Sequence, residues 1–172
     1  MSCLSEARHL RRHGITLPVM ILGYTSPAFA ADLARSNITQ ALFSRESAAE
    51  LSAEAVAAGV TVNCHLKVDT GMGRIGFAVR SGFEEALAEM EACYALPGLR
   101  ITGVFQHFAV ADSTEAGDEA YTCLLYTSRY PASRTGSARL HGESRCQRSE
   151  WFYVWHKRSP PSAPQSLSLI HI

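Results

Sequence analysis

The chain has 172 residues, enough for one ordinary domain with a sizeable core. It contains no apolar run near the 20 residues that a membrane helix needs and no signal peptide, and its five cysteines form no CxxC pair and no metal-ligand spacing. We therefore expect a soluble cytoplasmic protein with reduced thiols, no metal site, and neither nucleic acid nor membrane as a partner. The zero net charge is an average, since residues 1–122 carry −5 and residues 123–172 carry +5.

Residues 1–122 alternate between helical and strand patterns. Apolar residues spaced three or four apart predict helices, and short apolar runs predict strands that are covered on both faces. Ser26 and Ser44 are suitable N-caps, and Gly14 and Gly59 are suitable C-terminal residues. In chain order the sequence predicts a helix at 5–14, a strand at 18–24, a helix at 26–37, a strand at 39–43, a helix at 44–59, a strand at 61–70, a helix at 80–98 and a strand at 100–109.

This alternation predicts a parallel α/β sheet that closes either as a doubly wound sheet or as part of a (β/α)8 barrel. The third strand favours the barrel, because one of its two rows is polar and contains His65, Lys67 and Asp69. A doubly wound sheet needs two apolar rows, whereas barrel enzymes place polar side chains at the carboxyl ends of their strands. About four βα units are present, roughly half of a complete barrel.

The segment from Cys123 to the end of the chain has no sustained period and is rich in Ser, Arg and Pro. The DNA string CTGTCTCTTATACACATCT, a transposon end used in preparing sequencing libraries, encodes LSLIHI in one frame and CLLYTS in the next. These peptides are residues 167–172 and 123–128. We interpret residues 123–172 as a translated adapter artefact that we expect to be unstructured, and residues 1–122 as the domain.

Three stretches of residues 1–122 resemble the pyridoxal-phosphate-dependent alanine racemases. They are HLKVDTGMGRIGF (65–77), MILGYTSP (20–27) and GVFQHFAVAD (103–112). The resemblance implies the N-terminal part of a (β/α)8 barrel that a β-rich domain follows, in a homodimer that binds pyridoxal 5'-phosphate and alanine. It also implies an isomerase that inverts Cα of alanine by two-base proton transfer and supplies D-alanine for the cell wall.

The resemblance assigns roles to four residues. Lys67 matches a carbamylated lysine that orients the neighbouring arginine, and Arg74 matches that arginine, which lies near the cofactor oxygen and the substrate carboxylate. His107 matches a histidine that supports an arginine facing the pyridine nitrogen, and Leu22 matches a leucine beside the cofactor. From the residues alone, the preferred interpretation of Lys67 is a lysine that pairs with Asp69 or extends its amine to solvent, and Arg74, His107 and Leu22 could be structural.

The chain departs from the family pattern in several places. Gln106 replaces a threonine, and the lysine that holds the cofactor, the phosphate-binding segment and the catalytic tyrosine are not found in residues 1–122. We therefore expect a middle segment of a racemase that is inactive by itself. Three alternatives stay open: a serine racemase, a pyridoxal-phosphate-binding barrel without catalytic activity, and a protein in which Lys67 itself holds the cofactor.

Overall fold

The computed structural model describes residues 1–110, 113 and 115, together with the backbone of two short segments at 153–155 and 167–171. Helices and strands alternate along the chain, as the sequence predicts. The elements are α1 (Leu4–Arg12), β1 (Val19–Ile21), a 3-10 turn (Pro27–Phe29), α2 (Ala30–Arg35), β2 (Ile38–Leu42), α3 (Arg45–Ala57), β3 (Val62–Asp69), β4 (Phe77–Ala78), α4 (Phe83–Tyr94), β5 (Leu99–Gln106), β6 (Tyr153–Trp155) and β7 (Leu167–His171).

The structure confirms one of the two predicted serine N-caps. Ser44 caps α3, because its hydroxyl accepts a hydrogen bond from the backbone N–H of Ser47 at 3.2 Å. Ser26 makes no such bond, and the segment after it begins as a 3-10 turn before α2 starts at Ala30. The two-residue strand β4 was not predicted, because two residues are too few to show a period.

The sheet is parallel in its central part, which confirms the predicted α/β class. Its strand order is β1-β2-β3-β5-β7-β6, and β4 pairs with β3 off this path. β1, β2, β3 and β5 run parallel to their neighbours. Between Cys64 and His65 of β3 the register with β5 shifts by one residue, leaving Thr102 as a bulge in β5.

One face of this sheet carries the hydrophobic core. Val62, Cys64, Leu66 and Val68 of β3 are all buried against it. Side chains of all four helices belong to the same cluster, with Leu4 from α1, Leu33 from α2, Leu51 from α3 and Met90 from α4 among them. The helices therefore cover the apolar face, and the polar row of β3 points to the opposite side of the sheet.

Two short strands in the tail depart from the expectation of an unstructured tail. β7 runs parallel to β5, and β6 runs antiparallel to β7. β7 lies between β5 and β6, and β5 offers unpaired backbone groups on that side. The other residues of 123–172 lie outside the described residues, and the interpretation of this segment as a translated adapter stays a prediction.

Cys3, Cys64 and Cys93 are free thiols, Cys3 partly exposed and the other two buried. Burial raises the pKa of the Cys64 thiol to about 12 and that of the Cys93 thiol to about 11. Among the described residues, no group of three or more His, Cys, Asp or Glu side chains could hold a metal ion. No helix in the described part of the chain is long and apolar enough to cross a membrane.

Candidate active site at the carboxyl ends of the strands

The register of the strands brings three of the four predicted site residues to the face opposite the helices. Lys67 is paired with Phe105, so His107, two residues later, lies on the same face and one level higher. Ile21 is paired with Gln40 and Ala41 with His65, so Leu22 lies level with His65. Leu22, Lys67 and His107 therefore lie on one face, at or just beyond the carboxyl ends of three parallel strands. Active sites of (β/α)8 enzymes occupy this end.

Lys67 is buried, with 4% of its surface exposed. Burial lowers the pKa of its amine most, the charge of Arg74 lowers that pKa further, and the Asp69 carboxylate opposes both effects only in part. The ion pairs Arg8–Asp32 and Arg35–Asp32 lie elsewhere, and within the described part of the chain Lys67 makes no ion pair with Asp69. A buried lysine without a counter-ion favours the neutral amine, which is the form that reacts with an electrophile.

The Asp69 carboxylate is instead used by the loop that follows β3. Its Oδ1 accepts hydrogen bonds from the backbone N–H of Gly71 at 2.9 Å and of Gly73 at 3.1 Å. Burial raises the pKa of Asp69, but the backbone N–H groups of Gly71, Gly73, Arg74 and Met72 together hold it below its usual value. Asp69 therefore stays ionised and organises the loop from which Arg74 extends.

The glycines of this loop have separable roles. Gly76 has φ +131, and a Cβ there would lie 2.8 Å from the backbone nitrogen of Asp69 and 2.9 Å from the carbonyl oxygen of Lys67. It permits the chain to turn back against β3, where Phe77 pairs with Val68. Gly73 also has a positive φ, of +67, but a Cβ there would touch nothing within 4 Å.

The remaining predicted residues lie around Lys67. Arg74 is exposed, and it makes no ion pair with the described residues. His107 is half-buried directly after β5. Leu22 is also half-buried, and its backbone N–H donates to the carbonyl of Met1 at 2.9 Å.

Sequence reasoning gave no role to His65, although this residue shares the face of Lys67. Its neighbours in register are Ala41 and Gly103, two small residues that leave room for an imidazole ring. Its Nδ1 is shut off from solvent and has no hydrogen-bond partner in the described part of the chain. Burial lowers the pKa of His65, so the ring is neutral at pH 7. The sequence feature that could have identified His65 is its position in the polar row of β3, two residues before Lys67.

Comparison with known proteins shows the family of this chain. Residues 1–129 match the family described as "Alanine racemase, N-terminal domain". The chain is 47% identical over 133 residues to an alanine racemase of Desulfovibrio desulfuricans, covering 77% of this chain and 34% of the relative. It is 45% identical over 119 residues to an alanine racemase of Desulforamulus reducens, covering 69% of this chain and 30% of the relative. The chain thus spans about a third of the length of these relatives.

Solved structures show the same fold. Alanine racemase of Clostridium difficile 630 in complex with cycloserine superposes with a TM-score of 0.66 at 31% identity, covering 75% of this chain and 35% of that one. A histidine racemase from Leuconostoc mesenteroides superposes with a TM-score of 0.62 at 32% identity, covering 76% and 33%. The four βα units therefore match the N-terminal barrel of these enzymes, and alanine racemases depend on pyridoxal phosphate. The chain belongs to the alanine racemase family, as part of its N-terminal domain.

Proposed function

We propose that this chain supplies the N-terminal barrel part of the active site of a pyridoxal-phosphate-dependent alanine racemase. In the whole protein, that site would interconvert L- and D-alanine by proton transfer at Cα and so provide D-alanine for peptidoglycan. We further propose that the whole protein is a cytoplasmic homodimer. The observation that carries the proposal is the buried Lys67, which makes no ion pair with the described residues and feels the charge of Arg74, at the strand ends where this family has its chemistry.

Lys67 is suited to carbamylation. The lone pair of its neutral amine would form a bond with the carbon of CO2, and the amine would release one proton, leaving a negatively charged carbamate. The side chain then changes from an amine, whose protonated form Arg74 repels, to an anion that Arg74 attracts. A carbamate hydrogen-bonded to the guanidinium would hold Arg74 in one orientation.

The described residues fit one side of the cofactor. Because the Asp69 carboxylate is used by its own loop, the Arg74 guanidinium is available for the phenolic oxygen of the cofactor or for the substrate carboxylate. Leu22 would pack against the ring, and His107 would support a residue that faces the pyridine nitrogen. When bound, pyridoxal phosphate supplies an electron sink that stabilises negative charge at Cα.

We propose that the chain by itself does not racemise alanine. It contains two lysines, Lys67 and Lys157. The first is assigned to carbamylation, and the second lies in the segment that we interpret as a translated adapter. If Lys67 held the cofactor instead, added pyridoxal phosphate would give visible absorbance that Lys67→Ala abolishes.

For the identity of the amino-acid substrate, one solved structure supports an alternative to alanine. The histidine racemase of Leuconostoc mesenteroides is as similar in sequence to this chain as the solved alanine racemase of Clostridium difficile 630 is, at 32% and 31% identity. A racemase for another amino acid, including serine, is therefore the second candidate. Racemisation rates of the whole protein with alanine, serine and histidine would decide between them, and a preference for alanine is expected.

The carbamate is tested directly on this chain. We expect ¹³C NMR in ¹³C-bicarbonate to show one carbamate signal, which Lys67→Ala removes and the control Lys157→Ala retains. Arg74→Ala should weaken the signal, because the anion loses its neighbouring cation. A signal that survives Lys67→Ala, or no signal at any pH up to 9, would contradict the assignment of Lys67.

A further inference from the structure

The end of α1 carries two histidines on one side of the helix. His9 and His13 are four residues apart, a spacing that makes two side chains neighbours on a helix surface. Both are exposed, and their ring centroids are 4.2 Å apart, with an angle of 39° between the ring planes. In the sequence the pair lies in the basic run RHLRRHG, where a solvated helix face is the simpler interpretation. The contacts of the two rings argue against that interpretation.

One ring nitrogen of His13 is fixed by the backbone. Its Nδ1 lies 2.9 Å from the carbonyl oxygen of His9, which also accepts a hydrogen bond from the backbone N–H of His13 at 3.2 Å. Because a carbonyl oxygen can only accept, Nδ1 carries the proton and donates it. The neutral ring therefore has its lone pair on Nε2. Metal-binding histidines have this arrangement when a backbone carbonyl orients them.

The separation of the two rings suits a shared metal ion. Bonds between a metal and an imidazole nitrogen are about 2.0–2.1 Å long, so two adjacent ligands at about 90° hold their ring centroids about 4–5 Å apart. The observed 4.2 Å lies within this range. Imidazole ligands suit Zn²⁺, Ni²⁺ and Cu²⁺, whereas Mg²⁺ and Ca²⁺ prefer oxygen ligands.

The helix end and its arginines determine the charge around the pair. The negative end of the helix dipole lies at the last turn of α1 and favours a cation there. Arg8 makes an ion pair with Asp32, and Arg11 donates to four backbone carbonyls outside α1 at 2.7–2.9 Å. Arg12 is exposed and lies next to the pair in the chain, so its charge opposes the binding of a cation.

We propose that His9 and His13 form a surface site for a divalent late transition-metal ion, with the coordination chemistry that Zn²⁺, Ni²⁺ and Cu²⁺ share. Catalytic and structural zinc sites have three or four protein ligands, so an ion with two is completed by water and exchanges readily. The cysteine spacing predicts no metal site, whereas the histidine pair provides one that involves no thiol. Because α1 leads into β1, the site lies at the amino ends of the strands, away from Lys67.

The test is a calorimetric titration of the full chain with NiCl2, without cofactor and at pH 8, because a metal ion binds the neutral imidazole. We expect His9→Gln and His13→Gln each to weaken Kd by about ten-fold or more, since a single imidazole cannot chelate. The control His141→Gln changes a histidine in residues 123–172 and should leave Kd unchanged. Arg12→Gln should strengthen binding about two-fold at low salt, because it removes a repelling charge.

A second measurement places the ion on the folded helix. Two rings held four residues apart on a helix bind an ion more tightly than the unfolded chain does, so Ni²⁺ should raise the urea midpoint of unfolding. His9→Gln and His13→Gln should abolish this increase, and both variants should fold because the two residues are exposed. Binding that survives either substitution, or that is lost with Cys3→Ser or His141→Gln, would overturn the proposal. Equally tight binding of Mg²⁺ would also overturn it, because imidazole would then not be the ligand.

Discussion

The eight residues of β3 alternate between the two faces of the sheet, and the two faces have different roles. On the helix side, Val62, Cys64, Leu66 and Val68 belong to the hydrophobic core. On the other side, Lys67 is as buried as these residues and yet makes no ion pair with any residue that the structure describes. Burying a charge without a partner costs stability, so the second face keeps a group that folding alone does not favour. The comparison separates residues that stabilise the fold from residues that the fold positions.

Removing a helix-facing side chain should have the largest effect on stability. Leu66 is 1% exposed, so Leu66→Ala loses transfer free energy and leaves a cavity. We expect the free energy of unfolding to fall by about 3 kcal/mol in a urea titration. Val56→Ala is the control, because Val56 is 53% exposed on α3 and its truncation should cost less than about 0.5 kcal/mol. Equal losses for the two variants would remove the basis for distinguishing the two faces.

The turn after β3 offers a matched pair of glycines. Gly76→Ala combines a positive φ with a Cβ that meets the backbone of β3, whereas Gly73→Ala has the positive φ alone. We expect losses of about 2–3 kcal/mol for Gly76→Ala and about 1 kcal/mol for Gly73→Ala, measured by thermal unfolding. If Gly73→Ala were the more costly, the loop would not turn back against β3 as described.

Substituting Asp69 tests whether its carboxylate stabilises the loop after β3 or the side chain of Lys67. Asp69→Ala removes the acceptor of two backbone N–H groups, and we expect a loss of about 1 kcal/mol at pH 7. The folded pKa of Asp69 lies below its ordinary value of 3.8, so its contribution to stability is complete above pH 3.8 and is lost as pH falls through the folded pKa. The stability of the Asp69→Ala variant should not show this decrease as the pH falls. Loss of the carbamate without loss of stability would show instead that Asp69 serves Lys67.

Substituting His65 should have the smallest effect on stability, and this effect should appear only as the pH is lowered. Burial lowers its folded pKa, so the unfolded chain takes up a proton first as pH falls below 6.5. Stability is therefore complete above pH 6.5 and decreases until pH reaches the folded value. His65→Gln should flatten this part of the stability profile between pH 7 and pH 5. An unchanged slope would mean that the imidazole is not in a dry environment.

Much of the fold followed from the sequence because its segments are strongly periodic. The alternation in β3 predicted which side chains share a face, and the serine before α3 predicted its start. β4 and the bulge at Thr102 could not be predicted, because each involves only one or two residues whose position depends on the neighbouring strand. Gly103, a glycine inside a strand, was the one local sign of a bulge.

Less of the candidate site than of the fold could be predicted from the sequence. The alternating row placed Lys67 and Asp69 on one face, but it could not show whether the two pair with each other. The geometry of the turn decided this, since Gly71 and Gly73 direct their N–H groups at the carboxylate. The positions of His107 and Leu22 on the face of Lys67 depend on strand register. Register is set by pairing between segments that are distant in sequence.

The free energy of unfolding of Lys67→Met at pH 7, measured beside Leu66→Ala, tests the central claim most directly. Methionine keeps most of the volume of lysine and removes a buried amine that makes no ion pair with the described residues, so we expect no loss of stability and a gain of up to about 1 kcal/mol. The native chain should also become more stable as pH rises from the lowered pKa of Lys67 toward 10.5, and Lys67→Met should lack that increase. A loss comparable to that of Leu66→Ala would show that Lys67 is a structural residue, which contradicts the account.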